Sequence, residues 1–191
     1  GVLAPGPNLR WDQLGVPEEM AWALFGPLAA RRAGRQIVER RTGEAAAELD
    51  RAMAASWVLL DRAPPVLPTS IVAFRPVRVP GCAVRLHPLA CMPMNADYDG
   101  DQAAVFLPLT EAGQKEAERF SLSGQLSRWS GLIESLVPMC SPTWGLAELS
   151  RTPMGREKIA ELAGVEVEAP EGFVTRRTLT AALRARLERD G

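Results

Sequence analysis

Three aspartates stand at i, i+2 and i+4 in the run Asn95-Ala96-Asp97-Tyr98-Asp99-Gly100-Asp101-Gln102. On a strand that spacing puts all three carboxylates on one face. In a tight loop bent at Gly100 they converge on one point. Neighbouring like charges repel in either geometry, and a cation relieves the repulsion. Hard carboxylate oxygens favour Mg²⁺, Mn²⁺ or Ca²⁺ over Zn²⁺. A calcium loop of the EF-hand type does not fit. Counted from Asp97, its sixth position needs Gly and holds Gln102, and its twelfth needs Glu and holds Pro108. From spacing alone, a polar turn whose acids simply face water competes with the metal reading.

The segments that must position this motif change character along the chain. Residues 2–5 read as a strand ended by Pro5-Gly6-Pro7. Pro17 opens a helix in the favoured first-turn position, with Glu18 and Glu19 at its positive end and an apolar stripe of Met20, Ala21, Leu24, Phe25 and Leu28. Pro27 is expected to end or kink it. Residues 36–56 read as one or two surface helices broken at Gly43. Over residues 58–109 helical periodicity gives way to short apolar runs at 71–74, 77–79, 83–86, 89–92 and 103–107, a compact sheet or barrel. Helices return after Leu109. Thr110 is a candidate N-cap for residues 111–121, a further apolar-periodic run covers 126–137, and Ser141-Pro142 and Thr152-Pro153 each look like an N-cap before a first-turn Pro. Thr175 caps a last helix with Leu179, Leu183 and Leu187 on one side.

Composition bounds the partners. The 191 residues are 47% hydrophobic, enough for a core. The 22 basic and 23 acidic residues leave a net charge of -1, which excludes a strongly basic nucleic-acid domain although not a local basic face. Three cysteines argue against a disulfide framework and for a reducing compartment. No apolar run reaches the roughly 18 residues of a membrane span. With Gly1 in place of Met, the chain reads as a piece of a longer protein. Cys82, His87, Cys91 and Cys140 do not have the spacing of a zinc knuckle, so buried thiols and a hydrogen-bonded core histidine are expected instead. The five tryptophans fall in helical segments and read as packing rather than base stacking.

Several blocks are recognisable together: Leu59-Leu60-Asp61-Arg62-Ala63-Pro64, Ala73-Phe74-Arg75-Pro76-Val77, Leu86-His87-Pro88-Leu89 and the aspartate run, preceded by Gly6-Pro7-Asn8-Leu9-Arg10 and Gly15-Val16-Pro17. Roughly residues 2–120 resemble the active-site region of the largest subunit of multisubunit DNA-directed RNA polymerases, most closely the bacterial beta-prime type. The resemblance implies an α+β fold. Residues 1–120 would form a double-psi β-barrel with a helical insertion at about 18–56 protruding from it, and residues 121–191 a helical, lineage-specific C-terminal extension. It further implies that Asp97, Asp99 and Asp101 are the catalytic, metal-holding residues for Mg²⁺. Arg62 and Asn95 would contact the sugar of the incoming nucleoside triphosphate. The implied partners are the second large polymerase subunit, the other subunits, DNA template and RNA, in the cytoplasm and with no membrane.

The chain also departs from that family, which usually has Asn at Asp61, Thr-Leu-His-Arg at Pro65-Val66-Leu67-Pro68, two lysines at Glu18-Glu19 and often His at Phe106. The local excess of charge over residues 60–94 is small: Arg62, Arg75, Arg78 and Arg85 against Asp61, or +3. Two readings follow. One is the metal-bearing part of a polymerase, inactive when isolated. The other is a non-catalytic polymerase-like barrel that keeps the metal loop and has lost nucleic-acid handling.

Overall fold

The N-terminal apolar run forms strand β1 (Leu3–Pro5) as expected. A second strand, β2 (Gln13–Pro17), lies where no alternation was visible. Leu14, Gly15, Val16 and Pro17 are all buried, so this strand has no polar face to reveal it. Gly15 is required by close approach: a Cβ there would lie 2.6 Å from the Arg85 Cβ across the strand pair. The computed structural model describes residues 1–39, 41–67, 69–126, 140–170 and 172–190. The chain divides into two compact units, Gly1–Leu136 and Val137–Gly191.

The first unit is α+β. Four more strands, β3 (Val58–Asp61), β4 (Ile71–Val79), β5 (Val84–Leu86) and β6 (Ala104–Phe106), complete a mixed six-stranded sheet in the order β1-β5-β2-β4-β3-β6. The two runs expected at 71–74 and 77–79 are one strand. β4 pairs antiparallel with β3 through Phe74, then parallel with β2 from Arg75 onwards. Pro76 sits just past this exchange of partners, where β3 no longer needs an N–H. The sheet is curled. The Leu3 N–H donates to the Asp101 carbonyl (2.8 Å) and the Ala103 N–H to the Gly1 carbonyl (2.9 Å), around an antiparallel bridge between Val2 and Gln102. The segment leading into β6 is thereby tied to β1 at the other end of the strand order. Alternate residues of the strands, Leu14, Val16, Val58, Leu60, Val72, Phe74, Val84 and Leu86 among them, are fully buried.

Three helices, α1 (Glu18–Ala33), α2 (Arg35–Glu39) and α3 (Gly43–Ala54), stand between β2 and β3. Three expectations are corrected here. Pro27 lies inside α1 without ending it, exposed on the side away from the buried stripe of Ala21, Trp22, Phe25 and Ala29. The insertion does not protrude: α3 packs on β4 as well as on α1, burying Ala45, Leu49, Ala52 and Met53. Arg78 of β4 pins the insertion by pairing with Asp50 of α3 (2.9 Å) and Glu18 of α1 (3.0 Å). Pro17 likewise stands at the N-cap, outside the first turn. Helices α5 (Glu111–Arg119), capped by Thr110, and α6 (Leu122–Leu126) close the described part of this unit. The apolar run at 126–137 lies outside the described residues beyond 126.

In the second unit, α7 (Cys140–Leu149) contains Ser141, which therefore does not cap it. Thr152 caps α8 (Pro153–Ala163), and Gly164 ends it in the left-handed conformation (φ 63°). Thr175 accepts from the Thr178 N–H (3.2 Å) at the start of α9 (Arg176–Asp190). The buried Ser150 hydroxyl accepts from the Val174 N–H (2.7 Å) and donates to the Ala147 carbonyl (2.9 Å), fastening the segment before α9.

Candidate metal centre

The residues 89–92, expected as a strand, form a helix, α4 (Pro88–Met94). Pro88 fits the first helical position, and His87 caps it, its Nδ1 accepting the Leu89 N–H at 3.1 Å. That bond requires a neutral imidazole carrying its proton on Nε2. Burial pushes the His87 pKa down from the usual value. The buried face of α4 is Ala90, Cys91, Pro93 and Met94. The buried Thr69 hydroxyl donates to the Pro93 carbonyl, holding the β3–β4 loop against the end of α4. Asn95 ends the helix in the left-handed conformation (φ 50°, ψ 43°), which Asn tolerates better than most residues, and it is exposed.

The chain then turns through the aspartates. Gly100 has φ 123°, a conformation that excludes most side chains. The Tyr98 hydroxyl donates to the Leu86 carbonyl (2.8 Å), anchoring the loop on β5. The Asp97 N–H donates to Asp101 Oδ2 at 3.0 Å, closing the loop on itself. One carboxylate oxygen from each of Asp97, Asp99 and Asp101 lies within 4.8 Å of the others, and Asp99 is the exposed member. The loop alternative of the sequence reading is thus the one adopted, because Asp101 leaves the loop directly into the bridge with β1.

Arg62, one residue beyond β3, reaches this loop. Its Nε donates to Asp101 Oδ2 and its Nη2 to Asp101 Oδ1, both at 3.1 Å. These bonds hold the Asp101 carboxyl below its usual range. Asp99 moves the other way: a hydrogen bond shared with Asp97, and the charge of Asp97, push its carboxyl above the usual range. Oxygens bound to one Mg²⁺ at 2.0–2.1 Å are separated by at most about 4.2 Å. Only a small inward movement of the three side chains would bring them to that spacing, so the donor set fits a hard divalent cation.

The other sequence candidates go elsewhere. Cys82 is exposed and Cys91 is buried, with the Tyr98 hydroxyl beside its thiol. Trp22 and Trp57 are buried, whereas Trp144 is exposed. Arg75 lies 3.7 Å from the centre of the Trp57 ring, Arg78 is held by Asp50 and Glu18, and Arg85 donates to the Pro5 carbonyl (3.1 Å). Glu19 pairs with Arg41. Sequence reasoning missed the cap at His87 and the clamp of Arg62 on Asp101. The first was legible in His-Pro followed by apolar residues. The second joins residues 39 apart and had no local signal.

Residues 44–122, which include Arg62, Asn95 and all three aspartates, match the family described as RNA polymerase Rpb1, domain 2. The beta' subunit of DNA-directed RNA polymerase from Lactococcus lactis subsp. cremoris (strain MG1363) is 44% identical over 135 residues, covering 65% of this chain and 11% of that subunit. That of Thermotoga maritima is 42% identical over 135 residues, covering 64% of this chain and 8% of the subunit. That of Dehalococcoides mccartyi (strain CBDB1) is 42% identical over 133 residues, covering 64% and 10%. The matched domain is thus one from the largest subunit of a multisubunit polymerase. Over these stretches the chain is similar to a segment of beta-prime subunits, and it spans about a tenth of the length of these relatives.

Proposed function

We propose that this chain carries the metal-holding centre of a DNA-directed RNA polymerase largest subunit. In this reading the curled sheet is a double-psi β-barrel within residues 1–120, residues 121–191 are a helical extension, and Asp97, Asp99 and Asp101 hold Mg²⁺. The observation that carries it is the convergence of the three carboxylates within 4.8 Å in a segment related to that subunit. A divalent ion bound there supplies Lewis-acid activation of the RNA 3′-hydroxyl for attack on the α-phosphate of a nucleoside triphosphate. The chain's own residues provide the hard ligands. Asn95, at the end of α4, offers an amide that both donates to and accepts from sugar hydroxyls, and Arg62 offers donors only. The second large subunit, the remaining subunits, template DNA and RNA are the partners this activity needs, in the cytoplasm. Among the described residues no helix is long and apolar enough to cross a membrane.

One observation favours the non-catalytic alternative. Arg62, Arg75, Arg78 and Arg85, the basic residues of the segment leading to the loop, all have partners within the protein. Phosphate contacts would have to displace them. Both readings share the metal site, and both expect the purified chain not to incorporate nucleotides on a template. Titration of the full chain with Mn²⁺, followed by paramagnetic broadening, should perturb residues 97–101 first. Asp99→Asn should weaken the effect without unfolding the protein. Unchanged broadening in that variant would refute the metal assignment.

A further inference from the structure

Arg62 and a divalent cation would have to use the same carboxylate. The guanidinium fork takes both oxygens of Asp101, Nε to Oδ2 and Nη2 to Oδ1 at 3.1 Å, while the Asp97 N–H takes a second lone pair of Oδ2. Both side chains of the pair are only 18% exposed, so water screens them little. Among the described residues, Arg62 is the only cationic side chain with a hydrogen bond to the triad. A bidentate arginine is a strong and directional partner for a carboxylate. A hard cation also needs a lone pair of Asp101 directed at it, and a fixed positive charge within hydrogen-bonding distance of a ligand opposes a second one.

We propose that Arg62 is a built-in counter-ion that competes with a divalent cation for Asp101 and so sets the cation affinity of the aspartate loop. The inference rests on the metal reading above and adds a regulatory element to it. With the guanidinium on Asp101, the loop is a weak cation site held in a neutralised form. Cation binding pushes Arg62 off and frees its five N–H donors. By reciprocity, any ligand that draws Arg62 away tightens the cation by the same factor. The opposite role is a positioning residue that orients Asp101 for the cation, and it makes the opposite prediction.

The test compares the full chain with Arg62→Gln and Arg62→Lys by Mn²⁺ titration, read by water-proton relaxation and by thermal melting with and without Mn²⁺. Arg62→Gln removes the charge and is expected to bind Mn²⁺ about tenfold more tightly, within the ordinary range of coupling between sites. Arg62→Lys keeps the charge without the fork and should fall between the two. Without metal, Arg62→Gln should melt below the wild type, since three carboxylates are left uncompensated, and its rise in Tm on adding Mn²⁺ should be the larger. Equal or weaker Mn²⁺ binding by a folded Arg62→Gln overturns the competition and leaves the metal reading standing. If Arg62→Gln does not fold, Arg62→Lys must still bind more tightly than the wild type, and failure to do so overturns it equally. Absence of Mn²⁺ binding in all three proteins removes the metal reading and the competition with it.

Discussion

Protonation of His87 should loosen the helix that leads into the aspartate loop. The His87 Nδ1 accepts the Leu89 N–H at the N-terminus of α4, and an imidazolium has no acceptor to offer. Burial lowers the pKa of this histidine in the folded protein. In the unfolded chain the imidazole titrates near 6.5, so the unfolded state takes up the proton first as pH falls. The stabilisation is therefore complete above about pH 6.5 and is lost as pH drops from there towards the lower folded value. Loss of a side-chain cap costs about 1 kcal/mol, which is roughly a fivefold change in the folded-to-unfolded ratio and about 3 °C in Tm for a unit of this size. The chain has one histidine, so no other imidazole contributes. His87→Asn keeps a capping acceptor and removes the titration. Denaturation of the two proteins at pH 7.5 and 5.5, with hydrogen exchange read at Leu89, Ala90 and Cys91, should show the wild type weakening at pH 5.5 and the variant holding steady. An equal drop in both, or no drop in the wild type, would refute the capping argument.

Two further substitutions test the packing that holds the site. Gly15→Ala would place a Cβ 2.6 Å from the Arg85 Cβ and 3.0 Å from Val79 Cγ1, both on strands paired with β2, so urea unfolding should show a loss of about 1–3 kcal/mol; an unchanged midpoint would mean that the strands separate more easily than described. In the second unit, Ser150→Ala leaves the Val174 N–H without its acceptor, at a cost of about 1–3 kcal/mol. Limited proteolysis between α8 and α9 should then speed up, and an unchanged cleavage rate would show that the buried hydroxyl does not hold that segment.

What could be read from the sequence was what is local. The caps at Thr110, Thr152 and Thr175 each depend on a side chain and an N–H three residues away, and all three form. The aspartate run was legible for the same reason, since its bend needs only Gly100 and its members are two residues apart. Strand β2 was not, because it is buried on both faces and shows no polar alternation, and its partners β4 and β5 lie far along the chain. Residues 89–92 looked like a strand by their unbroken apolar character. The helix wins because Pro88 is already set for a first turn and His87 supplies the cap, while burial of Ala90, Cys91 and Met94 suits one helical face. Pro27 does not end α1, one of the two outcomes expected of it. It removes one hydrogen bond on the exposed side of α1, and packing against α3 outweighs that loss.

The acidic pair Glu18-Glu19 ties these levels together. As a sequence feature it looked like basic character lost next to the site. In the structure Glu18 accepts from Trp22 Nε1 (3.5 Å) and from Arg78 (3.0 Å), and Glu19 holds Arg41, whose guanidinium lies 5.5 Å from the Trp22 ring. Two acids at the start of one helix thus engage two arginines, one of them on a central strand. Holding the helical insertion onto the sheet uses up positive charge that would otherwise face outwards. The aspartate loop draws on a different arginine, Arg62, and its geometry is set by Gly100, Tyr98 and the bridge to β1. Retention of the loop and of free positive charge are therefore separable in this fold: the first depends on Gly100, Tyr98, Arg62 and the bridge to β1, the second on which distant acids the other arginines find.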